Sequence, residues 1–444
     1  MMQPQIDQMV ASQKLKQPNG GGGLLGIKEN GVKAPKTAHA LASKVRKVTT
    51  MLELERLLAA AEKSCAVIFF TSPNCKPCEA LYPTYNELAA EAANKATLIL
   101  VDISRAFDIG TKYNITSTPT FMTFLHGVEE NRWVGADRSK LRGSVEMLIQ
   151  MAWPPHTHES LNLPTFRGSD PKPVLYSKMP PLAKLKIKMG PSADDAAMQG
   201  IFHFISARAN EGAAESHLPD LDAFSRFLRS APSKLPVEVM FTIVDVLRLG
   251  MVDPRFSGYY AEEKDHKTIA PLISYVNSLK DCPYSLRLVT LQMACNLFSS
   301  PLYPEHILSC PQLAQPIVQL ITTSLLDDKN YTVRVAAASL SFNLSTANNR
   351  MRKEHREALP EGEQIELAAS LLEAISVEEA SPDALRGFLL AFGYLVYCTP
   401  KDGEIRDLLK SMDAQGTVLA KKKAFPKEAL VNEVGEELLG KGLD

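Results

Sequence analysis

The chain has 444 residues, which is long enough for two or three domains with large hydrophobic cores and excludes a single small module. Hydrophobic residues make up 45% of the chain and charged residues 22%, and 49 basic residues almost balance 50 acidic residues. These proportions are typical of a globular protein. The net charge of −1 gives no general electrostatic reason to expect a nucleic acid or membrane partner.

The cysteine content and the N-terminus indicate a reducing compartment. Seven cysteines, an odd number with only one close pair, are not the pattern of a secreted disulfide framework. The first ten residues lack a basic and apolar leader, and the longest apolar run, 387–397, is far shorter than the roughly 20 residues that span a bilayer. We therefore expect a protein of the cytoplasm or nucleus with no membrane anchor.

Residues 1–45 are rich in Gln, Lys, Gly and Asn, which predicts a disordered N-terminal segment. From residue 46 to residue 151, helical patterns alternate with buried-strand patterns, which favours an α/β sheet. The predicted strands are 65–70, 97–103, 120–124 and 131–134, and the predicted helices begin near residues 49, 76, 107 and 139. Seven prolines then crowd residues 152–181, which we interpret as a semi-rigid extended linker.

Residues 182–444 carry almost only helical periodicity. The predicted helices are 194–208, 221–228, 237–249, 269–279, 286–298, 312–326, 332–344, 364–375 and 382–397. Four mostly apolar ten-residue stretches within them begin at residues 239, 287, 334 and 385, which are 48, 47 and 51 residues apart. This period is close to that of armadillo and HEAT arrays, although an irregular helical bundle is the alternative. The predicted fold class is therefore multi-domain, with an α/β domain followed by an all-α armadillo-like array.

The motif Cys75-Lys76-Pro77-Cys78 is the strongest chemical signal in the chain. It follows a buried strand and opens a helix, where free amide N–H groups and the helix dipole stabilise a thiolate. Cys75 is the predicted nucleophile and Cys78 the resolving thiol of a redox-active disulfide. Zinc is the rival ligand for such a pair, but no second pair of thiol or imidazole ligands follows nearby. We therefore expect no metal or cofactor.

Residues 46–151 resemble the thioredoxin family. The resemblance is carried by the CxxC after the strand and by Thr118-Pro119-Thr120, which is similar to the family's cis-proline turn facing the dithiol. It implies that Pro119 brings the Thr118 backbone beside the sulfurs, where an extended thiol-bearing substrate is held. The chain departs from the family in having Phe69 where a buried Asp is usual and Asn74 where a Trp precedes the first Cys. A working dithiol and a module kept for binding both remain open.

Other candidate residues receive no chemical role. The remaining cysteines are interpreted as small hydrophobic side chains, and they are Cys65, Cys282, Cys295, Cys310 and Cys398. His156 and His158 form a pair that could bind a metal, but we interpret it as an incidental exposed pair. No glycine-rich phosphate loop, GxSxG elbow or HExxH motif occurs.

The helical half resembles the PUL domain, the C-terminal armadillo-like module of PLAP and its fungal relatives, over about residues 182–440. The motifs that carry this resemblance lie at 181–189, 241–249, 332–345 and 385–393. The resemblance implies binding of the C-terminal tail of valosin-containing protein, the AAA ATPase of ubiquitin-dependent extraction. A thioredoxin domain before a PUL domain is also similar to fungal proteins that begin with a PPPDE peptidase domain. Residues 1–45 contain no cysteine and one histidine, so we expect that peptidase to be absent.

An acidic tail requires cationic side chains on the inner surface of the array. Arg248 and Arg386 lie at the edges of apolar inner helices and match positions where the PUL pattern also has Arg, so they are predicted to bind the carboxylates of the tail. Asn343 is predicted to hold the peptide backbone. The alternative is that the two arginines pair locally with Asp245 and Asp383.

Two functions follow from these features. The first is an adaptor in ubiquitin and AAA-ATPase proteostasis, whose PUL domain binds the tail of valosin-containing protein. The second is a thiol-disulfide oxidoreductase whose helical domain recruits thiol-containing protein clients. A helical scaffold for an unrelated peptide is a weaker third interpretation.

Overall fold

A computed structural model describes residues 44–168, 171–213, 215–356 and 358–443. Nearly all of the predicted disordered segment 1–45 lies outside these residues. The described chain forms two compact units, an α/β unit that ends at His156 and a helical unit that begins at Thr157. Within the described residues, no helix is both long and apolar enough to cross a membrane.

The α/β unit contains a five-stranded mixed sheet. Its strands are β1 (Arg46–Val48), β2 (Cys65–Thr71), β3 (Ala96–Asp102), β4 (Thr120–Leu125) and β5 (Val128–Val134), in the spatial order β1-β3-β2-β4-β5. The β1, β3 and β2 strands pair in parallel, whereas β4 is antiparallel to both β2 and β5. The central strand β2 is buried along its whole length, which agrees with its continuous apolar run.

Helices cover both faces of this sheet. They are α1 (Met51–Ala60), α2 (Lys76–Glu79), α3 (Tyr82–Ala92), α4 (Phe107–Lys112) and α5 (Arg138–Ala152). Residues of β2 alternate between two hydrophobic clusters, one shared with α3 and α5 and the other with α1 and α4. This arrangement confirms the predicted α/β domain.

The helical unit is built from α-helices joined by short turns. These helices are α6 (Leu182–Met189), α7 (Ala196–Glu211), α8 (Leu221–Lys234), α9 (Val237–Gly250), α10 (Pro254–Ala261), α11 (Ile269–Ser278), α12 (Tyr284–Asn296), α13 (Leu302–Ser309), α14 (Pro311–Leu325), α15 (Tyr331–Lys353), α16 (Glu361–Val377), α17 (Pro382–Val396), α18 (Glu404–Ser411), α19 (Ala414–Ala420) and α20 (Leu430–Asn432). Short 3₁₀ turns lie at Thr157–Ser160, Gly190–Asp194, Lys264–His266 and Leu297–Ser299, and a π-helix spans Glu433–Lys441.

The helices form two stacked rows. The four helices predicted to be inner and buried, α9, α12, α15 and α17, pack side by side in chain order. A second row formed by α11, α14 and α16 follows the same order and packs against them. Because each repeat buries its apolar surface on its neighbours, the two rows share one continuous core. The predicted helical array is thereby confirmed.

The proline-rich residues 157–181 belong to the helical unit. Leu163 and Phe166 are fully buried in its core, and Tyr176 is 6% exposed. Phe166 packs against Gly393 of α17, where the Cβ of any other residue would overlap the phenyl ring. The sequence predicts a linker over residues 152–181, whereas most of residues 157–181 is held against the helices, because its apolar side chains reach the core.

Within residues 46–443, limited proteolysis of the full chain is expected to cut first between Trp153 and Thr157. Pro154 and Pro155 are exposed there, whereas the residues that follow are held by core side chains and by hydrogen bonds to the helices. Digestion with a small amount of a broad-specificity protease, followed by intact mass measurement, checks this. A stable helical fragment that begins at residue 182 or later would contradict it.

Candidate functional site

The two cysteines of the CxxC motif lie where β2 leads into α2. Cys75 is the residue that caps α2, and Pro77 lies in the first turn of that helix, where a missing N–H leaves no hydrogen bond unmade. Cys75 and Cys78 form a disulfide bond of 2.00 Å, and the Cys78 N–H donates to the Cys75 sulfur at 3.2 Å. Cys75 is 7% exposed, whereas Cys78 is fully buried. Cys75 is therefore the sulfur that a client can approach.

The predicted proline turn is joined to the segment that carries the dithiol. The peptide bond between Thr118 and Pro119 is cis. The hydroxyl groups of Ser72 and Thr118 lie 3.0 Å apart, so Ser72, three residues before Cys75, is hydrogen-bonded to the turn. Ser72 is not predicted from the sequence, because a single serine after a strand forms no recognisable motif. The contact brings Thr118 and Pro119 next to the loop that leads to the dithiol.

Aromatic rings fill the core beside the dithiol. The ring of Phe69 stacks on Phe121 at 4.6 Å between centroids and meets Tyr85 edge-on at 5.2 Å. The Tyr85 hydroxyl donates to the carbonyl oxygens of Val67 and Ile99, and burial raises the pKa of Tyr85 well above its usual range. The position that differs from the thioredoxin pattern, Phe69, is thus part of a closed apolar core.

Burial explains why four of the other cysteines, Cys65, Cys282, Cys295 and Cys398, have no assigned chemistry. It raises the pKa of the Cys65 thiol to about 12 and that of Cys398 to about 11. Burial also raises the pKa values of Cys282 and Cys295. Thiols with raised pKa values react slowly at neutral pH, because the thiolate is the nucleophile.

His158 is not the exposed residue that was expected. It is 2% exposed, because its ring packs near Tyr397. Its Nδ1 accepts a hydrogen bond from the Cys398 N–H at 3.0 Å, and its Nε2 lies 3.1 Å from the carbonyl oxygen of Gly442. Both ring nitrogens therefore face protein groups within the helical unit.

A ladder of side chains on the inner helices holds residues 171–178, which we call the groove segment. Asn343 binds both backbone groups of Val174, accepting from its N–H at 2.7 Å and donating to its carbonyl oxygen at 2.9 Å. Asn296 binds Tyr176 in the same way, at 2.7 and 3.0 Å. Both asparagines form hydrogen bonds with backbone groups, so they hold an extended chain at alternate residues, Val174 and Tyr176.

Arg248 extends this ladder by one repeat. Its guanidinium donates to the carbonyl oxygens of Tyr176 and Lys178, and it pairs with Asp245 at 2.6 Å. The side chain of Arg248 is only 5% exposed. The alternative predicted from the sequence, a local ion pair with Asp245, is present. Further guanidinium N–H groups donate to carbonyl oxygens of the groove segment.

The ladder residues share one position of the internal repeat. Arg248, Asn296, Asn343 and Tyr394 are the tenth residues of the four ten-residue stretches. The Tyr394 hydroxyl donates to the Thr165 carbonyl oxygen at 2.9 Å, before the groove segment. Asn296 and Tyr394 were missed in the sequence, although their alignment with Arg248 and Asn343 was the signal that could have found them.

Arg386 lies apart from the groove segment contacts. It pairs with Glu428 at 3.3 Å rather than with Asp383, and its side chain is 30% exposed. It lines a cavity of about 130 Å³ together with Thr165, Pro171 and Tyr394. Of the three predicted binding residues, Arg248 and Asn343 thus hold the chain's own segment, and Arg386 keeps an accessible face.

A second cavity of about 130 Å³ opens where the groove segment meets α13 and α15. Its walls are mostly apolar, and they include Pro171, Pro173, Phe298, Pro301, Pro304 and Leu308. Arg350 lines this cavity. Its side chain is 48% exposed and pairs with Glu354 at 3.3 Å. The cavity combines an apolar interior with an accessible cation.

The chain matches two known families. The profile of the PUL domain matches residues 171–437, which is more than half of the chain, and the thioredoxin profile matches residues 45–147. Thioredoxin C-2 of Corynebacterium nephridii is 37% identical over 76 residues, which are 17% of this chain and 70% of that protein.

Two further similarities concern the α/β unit. TPR repeat-containing thioredoxin TDX of Arabidopsis thaliana is 35% identical over 95 residues, or 21% of this chain, and the match spans only 25% of that relative. The X-ray structure of Fasciola hepatica thioredoxin is 29% identical and matches 23% of this chain and 99% of that chain, with a TM-score of 0.23.

Proposed function

Because the chain belongs to the PUL-domain family through residues 171–437 and to the thioredoxin family through residues 45–147, we propose that it is an adaptor in ubiquitin and AAA-ATPase proteostasis. Its helical unit binds the acidic C-terminal tail of valosin-containing protein, and its α/β unit carries a thioredoxin-like dithiol. The observation that carries the binding proposal is the accessible, mostly apolar cavity beside the groove segment, with the exposed Arg350 at its edge.

The tail binds beside the groove segment rather than in its place. Arg248, Asn296 and Asn343 are each fully engaged by residues 174–178, and displacing that segment would leave their buried polar groups unpaired. The cavity lined by Pro171, Pro173 and Arg350 is accessible and accepts an apolar side chain of the tail. Arg350 then pairs with a neighbouring carboxylate, and Arg386 offers a second cation for the acidic residues.

Binding of a synthetic peptide with the tail sequence of valosin-containing protein tests this assignment. Titration calorimetry with the full chain is expected to show affinity that Arg350→Ala and Arg386→Ala each reduce about tenfold, because a hydrogen bond to a charged group contributes about 1.5 to 3 kcal/mol. Added salt is expected to weaken the wild-type complex more than the complex of the double variant.

Arg226→Ala is the matched control, because Arg226 is exposed on α8 and distant in the repeat order from both cavities. Its affinity for the peptide is expected to equal that of the wild type. Helical circular dichroism must be unchanged in all variants for the comparison to count. Equal affinity of the Arg350→Ala, Arg386→Ala double variant and the wild type would refute the assigned site.

The second candidate function is a thiol-disulfide oxidoreductase whose helical unit recruits protein substrates. The disulfide between Cys75 and Cys78, next to a segment hydrogen-bonded to the cis-proline turn, supports it. The adaptor and the oxidoreductase differ in whether the dithiol turns over. Loss of disulfide reduction on replacing Cys75 distinguishes them, because only the oxidoreductase needs a dithiol that turns over.

A further inference from the structure

Cys78 lies in a closed apolar part of the α/β unit. Its side chain is fully buried and belongs to the same hydrophobic cluster as Phe69 and Phe121. Phe69 is in register with Leu100 on β3 and with Phe121 on β4, so apolar residues flank it on both neighbouring strands. The surroundings of the resolving sulfur therefore exclude water.

No charged side chain is buried among the described residues 44–156, and the buried polar side chains there are those of Thr71, Thr120 and Thr123. The titratable side chains on α2, α3 and α5 and at the end of β3 are Lys76, Glu79, Tyr82, Tyr85, Glu87, Glu91, Asp102, Arg138, Lys140, Arg142 and Glu146. Glu87, Glu91, Arg138 and Glu146 are exposed, and Arg142 pairs with Glu91 at 2.9 Å. Lys76, Glu79 and Lys140 are exposed. The core beside Cys78 therefore contains no carboxylate or imidazole.

The other three groups are engaged elsewhere. The Tyr85 hydroxyl donates to two backbone carbonyl oxygens, and the Tyr82 hydroxyl lies 2.7 Å from that of Thr71. Asp102, at the end of β3, accepts hydrogen bonds from the N–H and the hydroxyl of Ser104 at 3.0 and 2.7 Å. None of these groups is a ready acceptor for the proton of a Cys78 thiol.

Reduction of a client disulfide by this dithiol has two steps. In the first, the Cys75 thiolate attacks one client sulfur, the client S–S bond breaks, and the other client sulfur leaves as a thiolate. In the second, the Cys78 thiol releases its proton to solvent or to a released client thiolate, and the Cys78 thiolate attacks the Cys75 sulfur. The Cys75–Cys78 bond forms, the Cys75–client bond breaks, and the second client sulfur leaves as a thiolate. Two electrons pass from the dithiol to the client, and the second step requires a thiolate at the buried sulfur.

We propose that the α/β unit captures clients as long-lived mixed disulfides on Cys75, because resolution by Cys78 is slow in an apolar core without a proton acceptor. The inference rests on the proposed dithiol activity and names the step that limits it. Phe69 contributes to the slow rate, because its ring belongs to the same hydrophobic cluster as Cys78 and offers no proton acceptor. Slow resolution suits an adaptor, because the client stays attached while the helical unit binds its own partner.

The lifetime of the mixed disulfide tests this inference. The full-length protein is reduced with a dithiol reagent, freed of it, mixed with oxidised glutathione and quenched with acid at increasing times. Intact mass measures the glutathione adduct, and peptide mapping locates it on Cys75. The wild-type adduct is expected to persist about tenfold longer than that of Phe69→Asp, whereas Phe69→Leu, which keeps the core apolar, is expected to match the wild type. Equal lifetimes in the wild type and a folded Phe69→Asp would overturn the inference.

The pH dependence of the wild type provides a test that needs no core variant. Its adduct lifetime is expected to shorten about tenfold per pH unit between about pH 6 and about pH 8, because only the thiolate of Cys78 attacks. A lifetime that does not change with pH would overturn the inference.

Cys78→Ser separates this inference from the proposed dithiol activity. The variant cannot resolve the adduct and is expected to accumulate it. If Cys78→Ser forms no adduct on Cys75, the dithiol activity itself is refuted, and the inference with it. If it forms the adduct but the wild type resolves it before the first time point, only the slow resolution is refuted.

Discussion

Cys75→Ser is expected to abolish the reduction of insulin disulfides by the full-length protein. Cys75 is the partly exposed member of the pair, so its replacement removes the only sulfur of the dithiol that a client can reach. We expect the rate to fall by roughly 100-fold or more, to that of the dithiol reductant alone, because a serine hydroxyl is not ionised at neutral pH. Turbidity of precipitating insulin chains measures the rate.

Cys398→Ser is the matched control for this prediction. Cys398 lies in the helical unit, and burial raises the pKa of its thiol to about 11, so its loss is expected to leave the rate unchanged. Reduced wild-type protein is also expected to react with iodoacetamide at Cys75 before any buried cysteine. If the wild type reduces insulin no faster than Cys75→Ser, the oxidoreductase function is wrong, and the adaptor interpretation remains.

Arg248→Ala is expected to destabilise the helical unit by about 3 kcal/mol in free energy of unfolding. The substitution leaves the Asp245 carboxylate without its partner at a site where it is 11% exposed. It also removes the donors that hold the Tyr176 and Lys178 carbonyl oxygens. Breaking a buried ion pair by removing one partner typically costs about 3 to 5 kcal/mol, and the lower end applies because Asp245 keeps some contact with solvent.

Urea denaturation followed by two signals measures this effect. Both tryptophans, Trp133 and Trp153, lie in the α/β unit, so tryptophan fluorescence follows that unit alone. Circular dichroism at a helical wavelength follows mainly the helical unit. The circular dichroism transition is expected to move to lower urea and the fluorescence transition to stay in place, whereas Arg226→Ala moves neither. An unchanged circular dichroism transition in Arg248→Ala would show that the groove segment contacts contribute little stability.

Arg248 and Arg386 have different surroundings in the folded protein. In the sequence, Arg248 and Arg386 are equivalent candidates, because both are cations at the edge of an apolar helix. In the structure they differ, since Arg248 is 5% exposed and Arg386 is 30% exposed. Loss of tail binding in Arg248→Ala would therefore report on the groove segment as much as on direct contact with a tail.

Elements with enough repeated pattern are predictable from sequence. The buried strand β2 and the long inner helices α9, α12, α15 and α17 match their predictions within a few residues at most ends, because each carries several turns or alternations of apolar residues. The shorter elements α6, α10, α13 and α18 have eight residues each and were missed. Two turns contain too few apolar positions to establish a period. The strand β1 has three residues and was missed for the same reason.

The dithiol and the internal repeat are local properties of the chain. Cys75-Lys76-Pro77-Cys78 specifies a redox motif because the spacing and the adjoining strand and helix are contiguous in sequence. The period of the four inner helices specifies an array because each repeat needs its neighbours to cover its apolar surface. The sequence also predicts that Asn343 holds the backbone of a partner peptide, whereas in the structure it binds the backbone of Val174 in the same chain.

Which peptide Asn343 holds was decided only by the tertiary structure. Residues 171–178 and Asn343 are about 170 positions apart, as the contact with Val174 spans 169 residues. Nothing in a proline-rich stretch indicates that it returns to the inner helices, because backbone recognition leaves no mark on side-chain sequence. The environment of Cys78 is likewise nonlocal, since Phe69, Leu100 and Phe121 come together only through strand register. Local pattern thus determines which groups are present, and long-range packing determines what each of them is free to bind.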